Sequence, residues 1–133
     1  IDTRKAATYL ADGVIVSTPV GSTAYSLSVG GPILTPAMQA FIITPIAPHS
    51  LTNRPMVVEG TRKLHLKVLT RGEGVALVLD GQEVRSLGQD DEVDISAAEK
   101  PFRLISHADR SFFELLRAKF HWAAPPAYSA DEA

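Results

Sequence analysis

Apolar residues in this chain come in short runs closed by turn residues. Val14-Ile15-Val16 ends at Ser17-Thr18-Pro19, Phe41-Ile42-Ile43-Thr44 ends at Pro45, and Met56-Val57-Val58 ends at Glu59-Gly60. Runs this short and this rich in β-branched side chains predict strands. Leu64, Leu66 and Val68 alternate with His65, Lys67 and Leu69, which is the period of a half-buried strand. Val75 to Leu79 runs into Asp80-Gly81, a pair that favours a type I′ hairpin turn. Further strands are expected at Glu83 to Leu87, Glu92 to Ser96 and Phe102 to Ser106. Their close spacing points to a sandwich or meander and away from βαβ units.

Two segments read as helix. Ser111 and Glu114 stand at capping-box spacing ahead of Leu115, Leu116, Ala118 and Phe120, so a C-terminal helix with one apolar face is expected there. Ser22 to Ser28 follows Gly21 and stops at Gly30-Gly31-Pro32. It reads as the end of a strand, a glycine turn and a short helix. The expected fold is mainly β: a two-layer, sandwich-like domain of short strands over residues 1–122, with a short helix after the Gly21 loop and a C-terminal helix. Residues 123–133, which include Pro125-Pro126, are expected to form a flexible tail.

Composition narrows the field. At 133 residues, 45% hydrophobic and 21% charged, the chain has the size and core of one domain and is not intrinsically disordered. Its formal net charge of −2 argues against a strongly basic nucleic-acid binder. Cysteine is absent, which removes disulfides, a cysteine zinc site and a thiol nucleophile together. No apolar run reaches the roughly 18 residues of a membrane span, and no signal peptide is evident. The first residue is Ile1, as expected of a processed chain or a piece of a longer one. Acids gather between Asp80 and Glu99, where Arg85 is the sole base; the simplest reading is a solvated loop-and-edge face.

The densest chemistry lies between Asp12 and Tyr25. A strand that runs into Thr18-Pro19-Val20-Gly21-Ser22-Thr23 and then into a helix start exposes backbone N–H groups beside hydroxyls. Such an arrangement suits a phosphate, a ribose or a nucleobase edge. Spacing alone favours a plain strand–turn–helix joint with self-capping Ser and Thr, since Ser/Thr-Gly turns are common. No Lys follows the glycines, so this is not a Walker loop. No Gly-x-Ser-x-Gly elbow occurs either. His49, His65, His107 and His121 are far apart and lack metal-ligand spacing; His49, in a Pro-rich connection, is expected to make a structural hydrogen bond. Asp90-Asp91-Glu92 and Asp94 have the composition of a calcium loop but not its order.

The run from Asp12 to Pro32 resembles the signature of the C-terminal domain of the NAD kinase family. The resemblance continues through Ile43-Thr44-Pro45-Ile46-Ala47-Pro48-His49-Ser50-Leu51, Arg54-Pro55 and Leu79-Asp80-Gly81-Gln82, and ends with Phe112 to Trp122. Two small departures are Val20, where the family commonly has Thr, and Val29, where it has Ala. Losing the hydroxyl at Val20 would remove one polar contact near a ligand. A larger departure is that the family's Gly-Gly-Asp-Gly loop and its Asn-Glu/Asp motif, both of the N-terminal α/β domain, do not occur here.

The resemblance implies a phosphotransferase that moves the γ-phosphoryl group of ATP, or of polyphosphate, to the 2′-hydroxyl of the adenosine ribose of NAD, giving NADP. It implies that Asp12 meets the nicotinamide end and that Thr23, Ala24, Tyr25 and Ser28 contact the dinucleotide, with Asp80 and Gly81 near the site. No catalytic or metal residue is implied in this chain. The general-base aspartate, Mg2+ and the donor would belong to the N-terminal α/β domain. A homo-oligomer and a cytoplasmic location are implied as well, with neither nucleic acid nor membrane as partner. The alternatives are a non-catalytic nucleotide-sensing module and a lipid kinase of diacylglycerol type; the Thr-Pro-x-Gly-Ser-Thr-Ala-Tyr run speaks against the latter.

Overall fold

The computed structural model describes residues 1–71, 74–103, 105 and 111–123. The chain divides into two compact units, Ile1–Glu99 and Lys100–Ala133. The first holds strands β1 Gly13–Ser17, β2 Ala40–Ile46, β3 Met56–Glu59, β4 Leu64–Lys67, β5 Val75–Leu79, β6 Gln82–Leu87 and β7 Glu92–Ile95. Between β1 and β2 lie a 3-10 turn, Val20–Thr23, and a one-turn helix, α1 Tyr25–Ser28. All pairing is antiparallel: β1-β2-β3 form one sheet, β4 pairs with β7, and β5 pairs with β6. The mainly β architecture expected from the spacing of apolar runs is the one observed.

β2 is the centre of this unit, and it is buried from Ala40 to Pro45. Burial on both faces explains why it reads as a continuous apolar run and not as an alternation. On one face Phe41 and Ile43 pack with Leu64 of β4, joined by Val14, Val16, Val58 and Ile95, which lays the first sheet against the β4–β7 sheet. On the other face Ala40 and Ile42 cluster with Leu34. Pro45 is tolerated inside β2 for a reason that the register supplies. The amide of Gly60 donates to the carbonyl of Gln39, so odd-numbered β2 residues turn their backbone groups toward β3. That strand begins at Met56, opposite Ile43, and the ring nitrogen of Pro45 faces a side where no donor is needed.

The β5–β6 turn is as expected. Asp80 (φ 48°) and Gly81 (φ 83°) are both left-handed, as a two-residue type I′ turn requires. At the expected strand from Phe102 to Ser106, the described residues Phe102, Arg103 and Ile105 are outside any strand, while Leu104 and Ser106 lie outside the described residues. Phe102 and Ile105 are almost fully exposed. An apolar run becomes a strand only when a neighbour meets its backbone groups.

In the second unit, helix α2 spans Phe112–Phe120. Its capping box is complete: Glu114 N donates to Ser111 Oγ at 3.2 Å, and Ser111 N donates to Glu114 Oε2 at 2.7 Å. His121, left-handed at φ 51°, closes it by donating its amide to Arg117 O. The tail expected beyond Ala123 lies outside the described residues.

Candidate functional site

β1 delivers the chain into a joint tied down by its own small polar residues. Thr18 Oγ1 accepts from Gly21 N at 3.3 Å. Ser22 Oγ donates to Pro19 O at 2.6 Å and accepts from Leu34 N at 3.1 Å. Ser22 is fully buried, so one hydroxyl pins the 3-10 turn to the segment that follows the glycines. Four residues on, Ser26 Oγ lies 3.1 Å from Thr44 Oγ1 on β2, with both residues buried.

The far end of α1 explains the paired glycines. Gly30 N donates to Leu27 O at 3.0 Å and Gly31 N to Ser26 O at 2.8 Å, the two bonds of a Schellman ending. Gly30 takes the left-handed position at φ 87°. A Cβ on Gly31 would collide with Ser26 Oγ and lie 2.7 Å from Ser26 O, so only glycine lets the chain turn this closely under α1.

With Ser22 and Ser26 facing inward, the residues between and beyond them face out. Ala24, Tyr25 and Ser28 are exposed and Thr23 is half-buried, with Tyr25 60% accessible. The structure thus gathers Thr23, Ala24, Tyr25 and Ser28 on the outer side of one short joint, as a platform. Thr23 Oγ1 donates back to Val20 O at 3.4 Å. Val20, where the hydroxyl of the resembling family is lacking, is itself exposed.

Asp12 is exposed at the opposite end of β1, its amide held by Ile46 O at 3.0 Å. Because α1 folds back over Thr44, whose cross-strand partner is Ile15, only about 10 Å of strand separates Asp12 from the level of Ser26. Asp80 and Gly81 sit at the exposed tip of the β5–β6 hairpin. Among the described residues no hydrogen bond joins that hairpin to the platform. His49 donates its backbone amide to Leu10 O at 2.9 Å.

Two clefts lie away from the platform. One, of about 460 Å³, is lined by Ile1 to Ala6 and Arg62; the other, of about 320 Å³, by Asp2, Lys63, His65, Asp94, Ile95 and Ser96. Several of their charges pair with one another. Arg62 bridges Asp2 at 3.0 Å and Glu59 at 2.7 Å, and His65 Nδ1 meets Asp94 Oδ1 at 2.6 Å. Lys67 pairs with Asp90 at 2.9 Å. Within the exposed acid-rich run, Asp90 and Asp94 thus also find partners on β4. Among the described residues no group of three His, Asp or Glu side chains could hold a metal ion, and no helix is long and apolar enough to cross a membrane.

Sequence reasoning missed the hydroxyls that face inward. The signal was Thr44, the lone hydroxyl in the apolar stretch of β2, and its partner was hidden because Ser26 is one of four serines between Ser17 and Ser28.

The fold is thus a mainly β domain with backbone, hydroxyl and aromatic groups exposed on a strand–turn–helix joint. Residues 1–107 match the ATP-NAD kinase C-terminal domain, and the chain belongs to that family. It is 44% identical over 122 residues to an NAD kinase of Geotalea daltonii, covering 92% of this chain and 43% of that protein. It is 48% identical over 122 residues to an NAD kinase of Koribacter versatilis, covering 92% and 42%. The chain thus spans about two-fifths of the length of these relatives. The crystal structure of yeast NADH kinase complexed with NADH is similar over 90% of this chain and 38% of its own, with a TM-score of 0.77 and 26% identity. An NAD kinase from Archaeoglobus fulgidus in complex with ATP is similar over 67% of this chain and 33% of its own, with a TM-score of 0.56 and 39% identity.

Proposed function

We propose that this chain is the NAD-holding half of an NAD kinase, which phosphorylates the 2′-hydroxyl of the adenosine ribose of NAD to give NADP. The observation that carries this reading is the outward face of Thr23, Ala24, Tyr25 and Ser28, clamped from beneath by buried Ser22 and Ser26. Tyr25 offers a ring for stacking and a hydroxyl at its rim. Thr23, Ser28 and the backbone at Ala24 offer short polar contacts where small side chains allow close approach. Asp12, as a carboxylate, accepts hydrogen bonds from the carboxamide or ribose at the nicotinamide end. Asp80 and Gly81 stand near the assembled site.

Phosphoryl transfer depends on positioning and charge stabilisation more than on covalent chemistry. This half holds the acceptor. The general-base aspartate and the cradle for ATP, or polyphosphate, belong to the partner α/β domain. Mg2+, when bound there, offsets charge on the transferring phosphoryl group; no described cluster of this chain fits it. The assembled enzyme works as a cytoplasmic homo-oligomer.

The test is Asp12→Asn in a polypeptide that joins this chain to the family's α/β half. The KM for NAD should rise roughly tenfold, as expected for one charge-assisted hydrogen bond lost, with the KM for ATP unchanged. An unaltered KM for NAD at normal kcat would remove Asp12 from the site and leave it a turn residue.

A further inference from the structure

A platform made of one helical turn cannot hold its own shape. α1 has four residues, far short of the length at which a helix is stable by itself, so its orientation is imposed from outside. The Schellman ending fixes its last turn and Ser22 fixes the turn before it. Between them the one side-chain tie to the sheet, among the described residues, is Ser26 Oγ to Thr44 Oγ1 at 3.1 Å.

Stability alone does not call for that pair. Two apolar side chains of similar shape would pack in the same space, often at no loss, whereas a hydroxyl pair becomes costly once one partner is removed. What the pair adds is register: a directional bond is satisfied in one orientation of α1, and an apolar contact in many. Nor is the layer a set of hydroxyls that bond to anything nearby. Ser17 Oγ, on the same face of the sheet as Thr44, is buried without a partner among the described residues. Tyr25 and Ser28 flank Ser26 on the same turn, so any rotation of α1 that releases Thr44 carries both of them with it.

We infer that Thr44 is a positioning residue, acting through Ser26 Oγ to fix α1 and thereby to aim Tyr25 and Ser28 at the dinucleotide. The mechanical half of this stands on the geometry; the ligand half rests on the function proposed above.

Thr44→Val keeps the volume and deletes the hydrogen bond, and Thr44→Ser restores it. Hydrogen exchange at the Gly30 and Gly31 amides, measured well below the melting temperature, should quicken roughly tenfold in Thr44→Val and stay within about twofold of the parent in Thr44→Ser. In the polypeptide carrying both halves, Thr44→Val should weaken NAD binding roughly tenfold, with Thr44→Ser near the parent and ATP affinity unchanged. Unchanged exchange in Thr44→Val overturns the positioning role whatever the affinities are. Quickened exchange with unchanged NAD affinity makes Thr44 merely structural and also overturns it. Quickened exchange in Thr44→Val, together with a parent that binds no NAD at all, upholds the mechanics and defeats the proposed function instead.

Discussion

His65 stands opposite Asp94 in the β4–β7 register, with Nδ1 at 2.6 Å from Asp94 Oδ1 and Nε2 at 3.6 Å from Glu92 Oε2. The hydrogen bond to Asp94 does most to raise its pKa above the usual histidine value, partial desolvation opposes this, and the charges of Asp94 and Glu92 add to the rise. Lys63 and Asp2 share the cleft and complete the surrounding charges. A group whose folded pKa is raised stabilises the fold fully below its unfolded pKa of about 6.5, and that contribution is lost as pH rises through the folded value. Asp2 has the opposite sign. The backbone donor of Lys63 lowers its pKa, chiefly, with Arg62 second, so its contribution is lost as pH falls through the acid range. All these groups are exposed, so both effects are small and sensitive to salt. The expected outcome is that the melting temperature declines between about pH 6 and pH 8 in the parent, and declines less in Asp94→Asn. Equal slopes in the two proteins would mean that the imidazole–carboxylate contact is not populated in solution.

At the scale of elements, α2 is governed by its ends. Ser111 and Glu114 satisfy each other's backbone donors, and Ser111→Ala should cost about 1 kcal/mol of helix stability. Circular dichroism under thermal denaturation measures it; a loss of NAD affinity larger than the loss of stability would place α2 at the site. This cap was legible in the sequence because its two residues are three apart, and so was the Asp80-Gly81 turn, whose two strands are adjacent in the chain. Local rules reach that far. The pairing of β4 with β7 spans the whole inserted hairpin, and nothing in Leu64 to Lys67 announces which later run will meet it. Thr44 and Ser26 are likewise separated by eighteen positions, so the outward set of Thr23, Ala24, Tyr25 and Ser28 came from family resemblance, while the residues that hold it came only from the fold. Phe102 to Ser106 shows the converse: an apolar pattern with no partner strand at its described residues remains a pattern.

For the whole molecule the question is what one half of a site can do. A phosphoryl transferase must place a base on the acceptor hydroxyl and hold the donor's phosphates with their metal. Among the described residues this chain groups no three carboxylate or imidazole side chains for a metal, and its sequence has no Gly-rich loop followed by Lys. Its platform residues line neither of the two clefts described above. It also spans only 43% and 42% of the Geotalea daltonii and Koribacter versatilis NAD kinases and 38% of the yeast NADH kinase. Asp12 and Asp80 are the turn carboxylates near the matched motifs, and among the described residues neither side chain has a hydrogen-bonded partner that would orient it as a base. The 133-residue chain by itself should therefore make no NADP from NAD and ATP above background, while retaining weak affinity for the dinucleotide through Thr23 to Ser28. Calorimetry with NAD and a coupled NADP assay on the same preparation separate the two statements. Addition of the α/β half, as a second polypeptide or in fusion, should restore turnover. Activity in the chain alone, persisting after contaminating kinase has been removed, would overturn the division of labour and direct attention to Asp12 or Asp80 as a base within this half.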